Sequence, residues 1–166
     1  MTEKRGAWLE QAIASHEAAL FHLCFAYLGD AALAEDAVQE TFVKAYKSYD
    51  RSFQGGSEKA WLSRIAINTC KNTRKSAWFR HIDRRVSLES LPEKGVPFPE
   101  RDETVILAVM GLPHRLREAV LLHDGQGLTA EETAGALGIA RSTLYKRLDK
   151  AHRLLRKELE AWYHDR

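Results

Sequence analysis

Apolar side chains recur three and four positions apart along most of the chain, and no stretch alternates as a strand would. In the first half this spacing predicts three helices, each with a start or stop residue beside it. The predicted helices cover residues 7–28, 31–49 and 58–75. Gly29 ends the first, and Asp30 and Ser57 are favourable N-caps for the second and third. The glycines at 55 and 56 predict a loop before the third helix.

In the second half of the chain the same spacing predicts further helices, and the last two of them form a helix-turn-helix. Short helices are expected over residues 104–110 and from Pro113 to about residue 123, and the helix-turn-helix covers residues 128–159. Thr129 and Glu132 have the spacing of a capping box, and Gly138 suits the turn between the two helices. The apolar stripe of the second of these helices consists of Leu144, Leu148, Ala151 and Leu155.

A proline-containing segment separates the two halves. Pro92, Pro97 and Pro99 are three of the four prolines, and charged residues and Gly95 accompany them. We therefore predict an all-α fold of two small helical domains joined by a flexible linker. The predicted domains are residues 1–77 and 102–166, with the linker at 78–101.

Charge is strongly segregated although the net charge is only +2. Residues 141–157 contain seven basic side chains against Asp149 alone, and residues 59–85 contain eight against Asp83 alone. Residues 30–40 contain four acids and no base. A helix-turn-helix with a basic second helix is typical of a protein that reads a DNA major groove, whereas a solvated charged helix is the simpler interpretation.

Two helix faces in the first half carry candidate chemistry. On the third helix Arg64, Asn68 and Lys71 share one side with Asn72 beside them, and Trp61 lies near the glycine loop. Such side chains hold phosphates, contact base edges and stack on unpaired bases, although a solvated face with a core Trp has the same pattern. On the second helix a polar face with one aliphatic residue either is solvated or docks a partner.

Composition argues against several other classes of protein. Cys24 and Cys70 are far apart in sequence and form no CxxC pair, so we expect reduced thiols and no structural zinc or other metal. No apolar run approaches the ~20 residues of a membrane span, and no signal peptide is recognisable. A cytoplasmic protein without membrane insertion, cofactor or catalytic residues is expected.

Three segments resemble the sigma-70 family of bacterial transcription factors. AEDAVQETFVKAY at 34–46 and WLSRIAINTCKNTRK at 61–75 resemble region 2. The segment that begins LPHRLREAVLL at 112 and ends at 156 resembles region 4. The short form with two regions across a linker resembles the extracytoplasmic-function (ECF) group. At the start of the second helix of the helix-turn-helix, which is the recognition helix, the residues depart from the family pattern. The preference of the family for a particular −35 sequence is therefore not assigned to this chain.

The resemblance implies a transcription initiation factor that is not an enzyme. Region 2 would bind the clamp helices of core RNA polymerase, open the −10 element and capture an unstacked base, while region 4 would contact the −35 element of promoter DNA. An anti-sigma factor is a further expected partner. The implied polymerase-binding residues are Asp36, Gln39, Glu40 and Val43; the −10 residues are Phe53, Lys59, Trp61, Arg64, Asn68, Lys71 and Asn72; the −35 residues are Arg141, Ser142, Thr143, Lys146, Arg147 and Lys150.

Two other functions compete with this one. A stand-alone helix-turn-helix regulator accounts for the second half but not for the acidic face or the basic third helix. A nuclease using Glu35, Asp36 and Glu40 as metal ligands would need carboxylates that converge from several elements, and these three lie on one predicted helix.

Overall fold

A computed structural model describes residues 2–52, 56–76 and 103–164, and all regular structure within them is helical. The helices are α1 (Thr2–Leu28), α2 (Ala31–Ser52), α3 (Glu58–Lys75), α4 (Glu103–Met110), α5 (His114–Val120), α6 (Ala130–Leu137) and α7 (Arg141–His164). Phe53, the predicted linker and both predicted domain boundaries lie outside the described residues. The all-α prediction is confirmed.

Some helix ends differ from the prediction. Helix α1 begins at Thr2, five residues earlier than its apolar pattern suggested. Pro113 is the N-cap of α5 and not its first residue, because its ψ of 146° is extended. A π-helical turn, Leu121–Gly125, continues α5 beyond residue 123, where a plain helix was expected to end.

Helices α1, α2 and α3 pack against one another around a large apolar core. Phe25, Leu62 and Ile67 are fully buried there. Cys24 and Cys70 are also fully buried, as expected for two buried thiols. A hydrogen bond with Cys24, and then burial, raises the pKa of the Cys70 thiol well above its usual value.

The helix-turn-helix has the local structure that its sequence predicts. The Thr129 hydroxyl accepts a hydrogen bond from the Glu132 N–H at 3.0 Å, and the Glu132 carboxylate accepts one from the Thr129 N–H at 2.9 Å. Gly138 has a φ of +67°, which glycine adopts without steric cost, and it ends α6. Leu144, Leu148 and Ala151 are buried, so α7 is anchored by its apolar stripe.

We expect Thr129→Ala to lower the free energy of unfolding by about 1 kcal/mol, because the hydroxyl that accepts a hydrogen bond from the Glu132 N–H is lost. Thr129 itself is exposed, so no core packing changes with it. Urea denaturation followed by circular dichroism measures the difference. Thr129→Ser keeps the hydroxyl and serves as the control. Equal losses for both variants would contradict the capping explanation.

The two halves of the chain are in contact with each other. Helix α6 packs on α3, and α4 and the π-helical turn pack on α1. The Gln126 side chain donates a hydrogen bond to the Ala19 carbonyl at 3.0 Å. The Arg117 guanidinium donates one to the Tyr27 carbonyl and lies 5.8 Å from the centre of the Tyr27 ring. The helix-turn-helix therefore lies directly beside α3.

Candidate functional site

The predicted polymerase-binding residues form one exposed face of α2. Asp36, Gln39, Glu40 and Val43 are all exposed, and Val43 at 51% is among the few large apolar side chains that are. Glu40 pairs with Lys44 one turn away at 3.1 Å. An exposed pair of this kind contributes only about 0.3–0.5 kcal/mol to stability, so Lys44 holds Glu40 only weakly.

The back of α2 explains why this face is held firmly. Ala37, Val38 and Phe42 are buried against the rest of the bundle. Thr41 is fully buried too, and its hydroxyl donates to the Ala37 carbonyl at 2.7 Å. The exposed acidic residues therefore project from a helix whose rotation about its own axis is fixed by packing.

The predicted −10 residues of α3 are divided between solvent and the helix-turn-helix. Arg64, Asn68 and Asn72 are exposed on one side of the helix, as predicted. Lys71 lies on the same side but is only 24% exposed, because its ammonium pairs with a carboxylate of α5. Lys59, near the start of α3, is half-buried.

Trp61 belongs to a cluster of aromatic rings from three helices. Its ring centre lies 5.9 Å from that of Trp8 on α1 and 6.2 Å from that of Tyr49 on α2. Trp8 and Tyr49 are themselves 4.5 Å apart. Trp61 is half-buried, so one part of the indole packs in the cluster while another part stays accessible.

The predicted −35 residues lie at the start of α7. Arg141, Ser142, Lys146 and Lys150 are exposed, and Thr143 is half-buried. Ser142 and Lys146 lie on the side of α7 opposite its buried apolar stripe, which is the geometry of a recognition helix. Arg147 differs, since its guanidinium is turned inward and only 21% of the side chain is exposed.

Tyr145 was missed by the sequence prediction. It is 55% exposed on α7 and lies beside Lys146. An aromatic ring in this position can make apolar contact with a thymine methyl group in the major groove. The sequence feature that indicates Tyr145 as a candidate DNA contact is an aromatic residue among basic ones.

Glu118 of α5 was also missed, and it connects the two predicted DNA-binding helices. The residue is 2% exposed. One carboxylate oxygen lies 3.4 Å from the Lys71 ammonium on α3, and the other lies 3.9 Å from the Arg147 guanidinium on α7. A buried carboxylate without cations beside it is costly. Two cations predicted to contact DNA therefore neutralise one acid inside the protein.

Basic side chains surround Glu118 in a cleft of about 340 Å³ between α3 and the helix-turn-helix. The basic and imidazole groups that line it are Lys71, Arg74, Lys75, His114, Arg115 and Arg147. Burial lowers the pKa of His114, and the charges of Arg74 and Arg115 lower it further. The positive charges of this cleft therefore disfavour protonation of His114, which lines it.

The nuclease hypothesis gains no support from the described residues. Glu35, Asp36 and Glu40 are all exposed on α2. Among the residues that the structure describes, no group of three or more His, Cys, Asp or Glu side chains is placed to hold a metal ion. Likewise, none of the described helices combines the length and the apolar character needed to cross a membrane.

Comparison with known proteins identifies both halves of the chain. Residues 12–80 match the family model for sigma-70 region 2, and residues 102–155 match that for sigma-70 region 4. The ECF RNA polymerase sigma factor SigL of Mycobacterium tuberculosis is 33% identical over 153 residues, which are 87% of this chain and 85% of that protein. The chain belongs to the sigma-70 family. The RNA polymerase sigma-H factor of Pseudomonas aeruginosa is 32% identical over 81% of this chain and 77% of its own length.

Solved structures agree with this membership. A Bartonella quintana sigma factor, RpoE, solved in complex with the anti-sigma factor NepR, superposes with a TM-score of 0.74 at 27% identity. The match covers 91% of this chain and 96% of that chain. The sigma factor described here has the same helical fold through both regions.

The family settles which of the three functions applies. This sigma factor is a transcription initiation factor that directs RNA polymerase to promoters, and its named relatives place it in the ECF group. A stand-alone helix-turn-helix regulator is not favoured, because region 2 is present together with region 4. The sequence resemblance to the family is thus confirmed.

Proposed function

We propose that the exposed face of α2 binds the clamp helices of core RNA polymerase, that α3 and the preceding loop open the −10 element, and that α7 contacts the −35 element. The observation that carries this proposal is the presence of regions 2 and 4 in one chain. The exposure of Asp36, Glu40 and Val43 on a rigid helix supports the first part. No residue is catalytic in this proposal, and no metal or cofactor takes part.

Transcription from genomic DNA tests the proposal directly. Core polymerase without any sigma factor is incubated with genomic fragments, with and without the purified chain, and the RNA 5′ ends are sequenced. We expect new start sites that share two upstream motifs only when the chain is present. An unchanged set of start sites, together with a shift of duplex DNA by the free chain, would instead support the stand-alone regulator.

For the −10 element we propose that Trp61 stacks on an unpaired base and that Phe53 and Lys59 take part in its capture, while Arg64, Asn68, Lys71 and Asn72 hold the strand. Unstacking a base costs a few kcal/mol, which a pocket and a basic groove must recover. The partly accessible indole of Trp61 and the exposed polar side of α3 support this assignment.

For the −35 element we propose that Lys146 contacts base edges together with Arg141, Ser142 and Thr143, while Lys150 and Arg147 contact phosphates. Lys150→Ala should then weaken binding on every sequence and reduce the slope of log affinity against log salt by about 0.9. Lys146→Ala should cost about 1–3 kcal/mol and reduce discrimination at one −35 position. Fluorescence anisotropy with a −35 duplex at several salt concentrations measures both effects.

Arg156→Ala is the matched control for these two variants. Arg156 is exposed on α7 and carries the same charge, but it lies further along the helix from the turn. It should change the affinity and the salt slope less than Lys150→Ala does. If all three variants weaken binding equally, the basic residues act only through their total charge, and the assigned roles are wrong.

We also propose that an anti-sigma factor binds this chain in the cytoplasm, where polymerase and promoters are found. The support is the Bartonella quintana structure, in which a sigma factor of the same fold is bound to one. Co-purification of the tagged chain from its own cells, followed by mass spectrometry and reconstitution with core polymerase, tests this. The captured protein should abolish the new start sites, and a protein that leaves them unchanged is not an inhibitor.

A further inference from the structure

Two side chains of α1 hold the carboxylate at the start of α3. The Trp8 indole N–H donates a hydrogen bond to one oxygen of Glu58. The other oxygen lies 2.9 Å from Nε2 of His16. Glu58 is the first residue of α3, and the His16 and Glu58 side chains are only 17% and 33% exposed. Both oxygens of one carboxylate are therefore engaged by the same neighbouring helix.

This link lies where the chain enters α3. Tyr49, near the end of α2, packs on Trp8, and Trp61 in the first turn of α3 packs on both. Ser57 caps α3 by accepting a hydrogen bond from the Ala60 N–H at 3.1 Å. The end of α2, the start of α3 and the first half of α1 are thus connected at one point.

Stabilisation of α3 alone does not require the contacts with α1. Ser57 already satisfies a free N–H of the first turn. An acidic residue in the first turn interacts favourably with the helix dipole while it is fully solvated. Holding Glu58 through Trp8 and His16 adds something different, which is a fixed position of the first turn of α3 relative to α1.

We propose that Trp8 and His16 are positioning residues for capture of the −10 base. By holding Glu58 they fix the first turn of α3, and with it the orientation of Trp61 against which the base is to stack. A binding site must be held within about 0.5 Å of its productive geometry to be effective. This inference rests on the proposed role of Trp61 at the −10 element.

The experiment compares His16→Leu, His16→Gln and Trp8→Phe in the reconstituted holoenzyme. Leucine removes the partner of Glu58, glutamine supplies an amide donor in its place, and phenylalanine removes the indole N–H but keeps a ring. Opening is followed by the fluorescence of 2-aminopurine in the −10 element of a promoter found from the start sites. The rate is measured on that promoter and on one with the captured base replaced.

We expect His16→Leu and Trp8→Phe to open the promoter about tenfold more slowly, the worth of one hydrogen bond to a charged group. The ratio of rates between the two promoters should also fall, because a loosely held Trp61 discriminates less well. Affinity for core polymerase should stay within twofold of the unmodified chain. His16→Gln should restore most of the rate and of the discrimination.

Tyr27→Phe is the matched control for a purely structural effect. It removes a different polar link between α1 and α3, in which the Arg74 guanidinium donates to the Tyr27 hydroxyl at 2.8 Å, at the far end of both helices. It should leave base discrimination unchanged. The inference is overturned if His16→Leu opens both promoters like the unmodified chain, or if Tyr27→Phe loses discrimination equally. If the unmodified chain binds core polymerase but opens no promoter, the proposed −10 function fails first.

Discussion

Asp36→Arg is expected to reduce the affinity of the chain for core RNA polymerase at least ~100-fold, which corresponds to about 2.7 kcal/mol. Asp36 and Glu40 give the exposed face of α2 a negative charge, so we infer that the partner surface is basic. Arginine at position 36 replaces attraction by repulsion, and like charges forced together at an interface cost several kcal/mol. Gel filtration of the mixture measures the loss, since a bound chain elutes with the polymerase.

Glu17→Arg provides the control for this charge reversal. Glu17 is exposed on α1 and undergoes the same change of two units of charge away from the proposed face. It should co-elute with core polymerase as the unmodified chain does. Both variants should keep the melting temperature of the unmodified chain, because neither side chain is buried. Normal co-elution of Asp36→Arg would refute the assignment of this face.

The helices and their inward faces were predictable because they depend on short-range periodicity. Leu144, Leu148 and Ala151 are spaced by four and three positions, which on a helix leads to one side, and all three are buried. Thr129 and Glu132 form their capping box within a single turn. In each case the residues that interact are close in sequence, so the local sequence pattern is enough to predict the contact.

Contacts between helices were not predictable in the same way. Glu118 is 47 positions from Lys71 and 29 from Arg147, and nothing in the local sequence indicates that one carboxylate meets both. Trp61 was predicted from its position beside a glycine loop, but its contacts with Trp8 and Tyr49 come from two other helices. Sequence periodicity places a residue on a face, whereas the packing of helices decides what that face touches.

The second large expected effect is a change in the distance between the two regions. They are in contact in the free chain, and we expect them to separate when the chain binds promoter DNA. Lys71 and Arg147 reach the same Glu118 carboxylate. The centres of the −10 and −35 elements are about 25 base pairs apart, which at ~3.4 Å per base pair is ~85 Å of duplex. The arrangement described here therefore cannot place α3 and α7 on both elements at once.

Labels on the two regions would measure this separation. Glu17→Cys on α1 and Arg153→Cys on α7 introduce thiols at exposed positions, while the native Cys24 and Cys70 are fully buried and protected from labelling. Energy transfer should report a short distance in the free chain and one at least ~40 Å longer in the promoter-bound holoenzyme, given the spacing of the two elements along the duplex. An unchanged distance in an actively transcribing complex would contradict the prediction.

Glu118→Gln tests whether the shared carboxylate holds the regions together in the free chain. Glutamine keeps the size of the side chain but removes the charge that attracts Lys71 and Arg147. Loss of this attraction should weaken the contact between the two regions by about 1.5 kcal/mol. The ratio of chains with separated regions (open) to chains with regions in contact (closed) should then rise about tenfold. Glu131→Gln makes the same change at an exposed position of α6 and should leave the distance distribution unchanged. If the two variants give the same distribution, closure depends on the apolar contacts between α6 and α3 rather than on the buried charge.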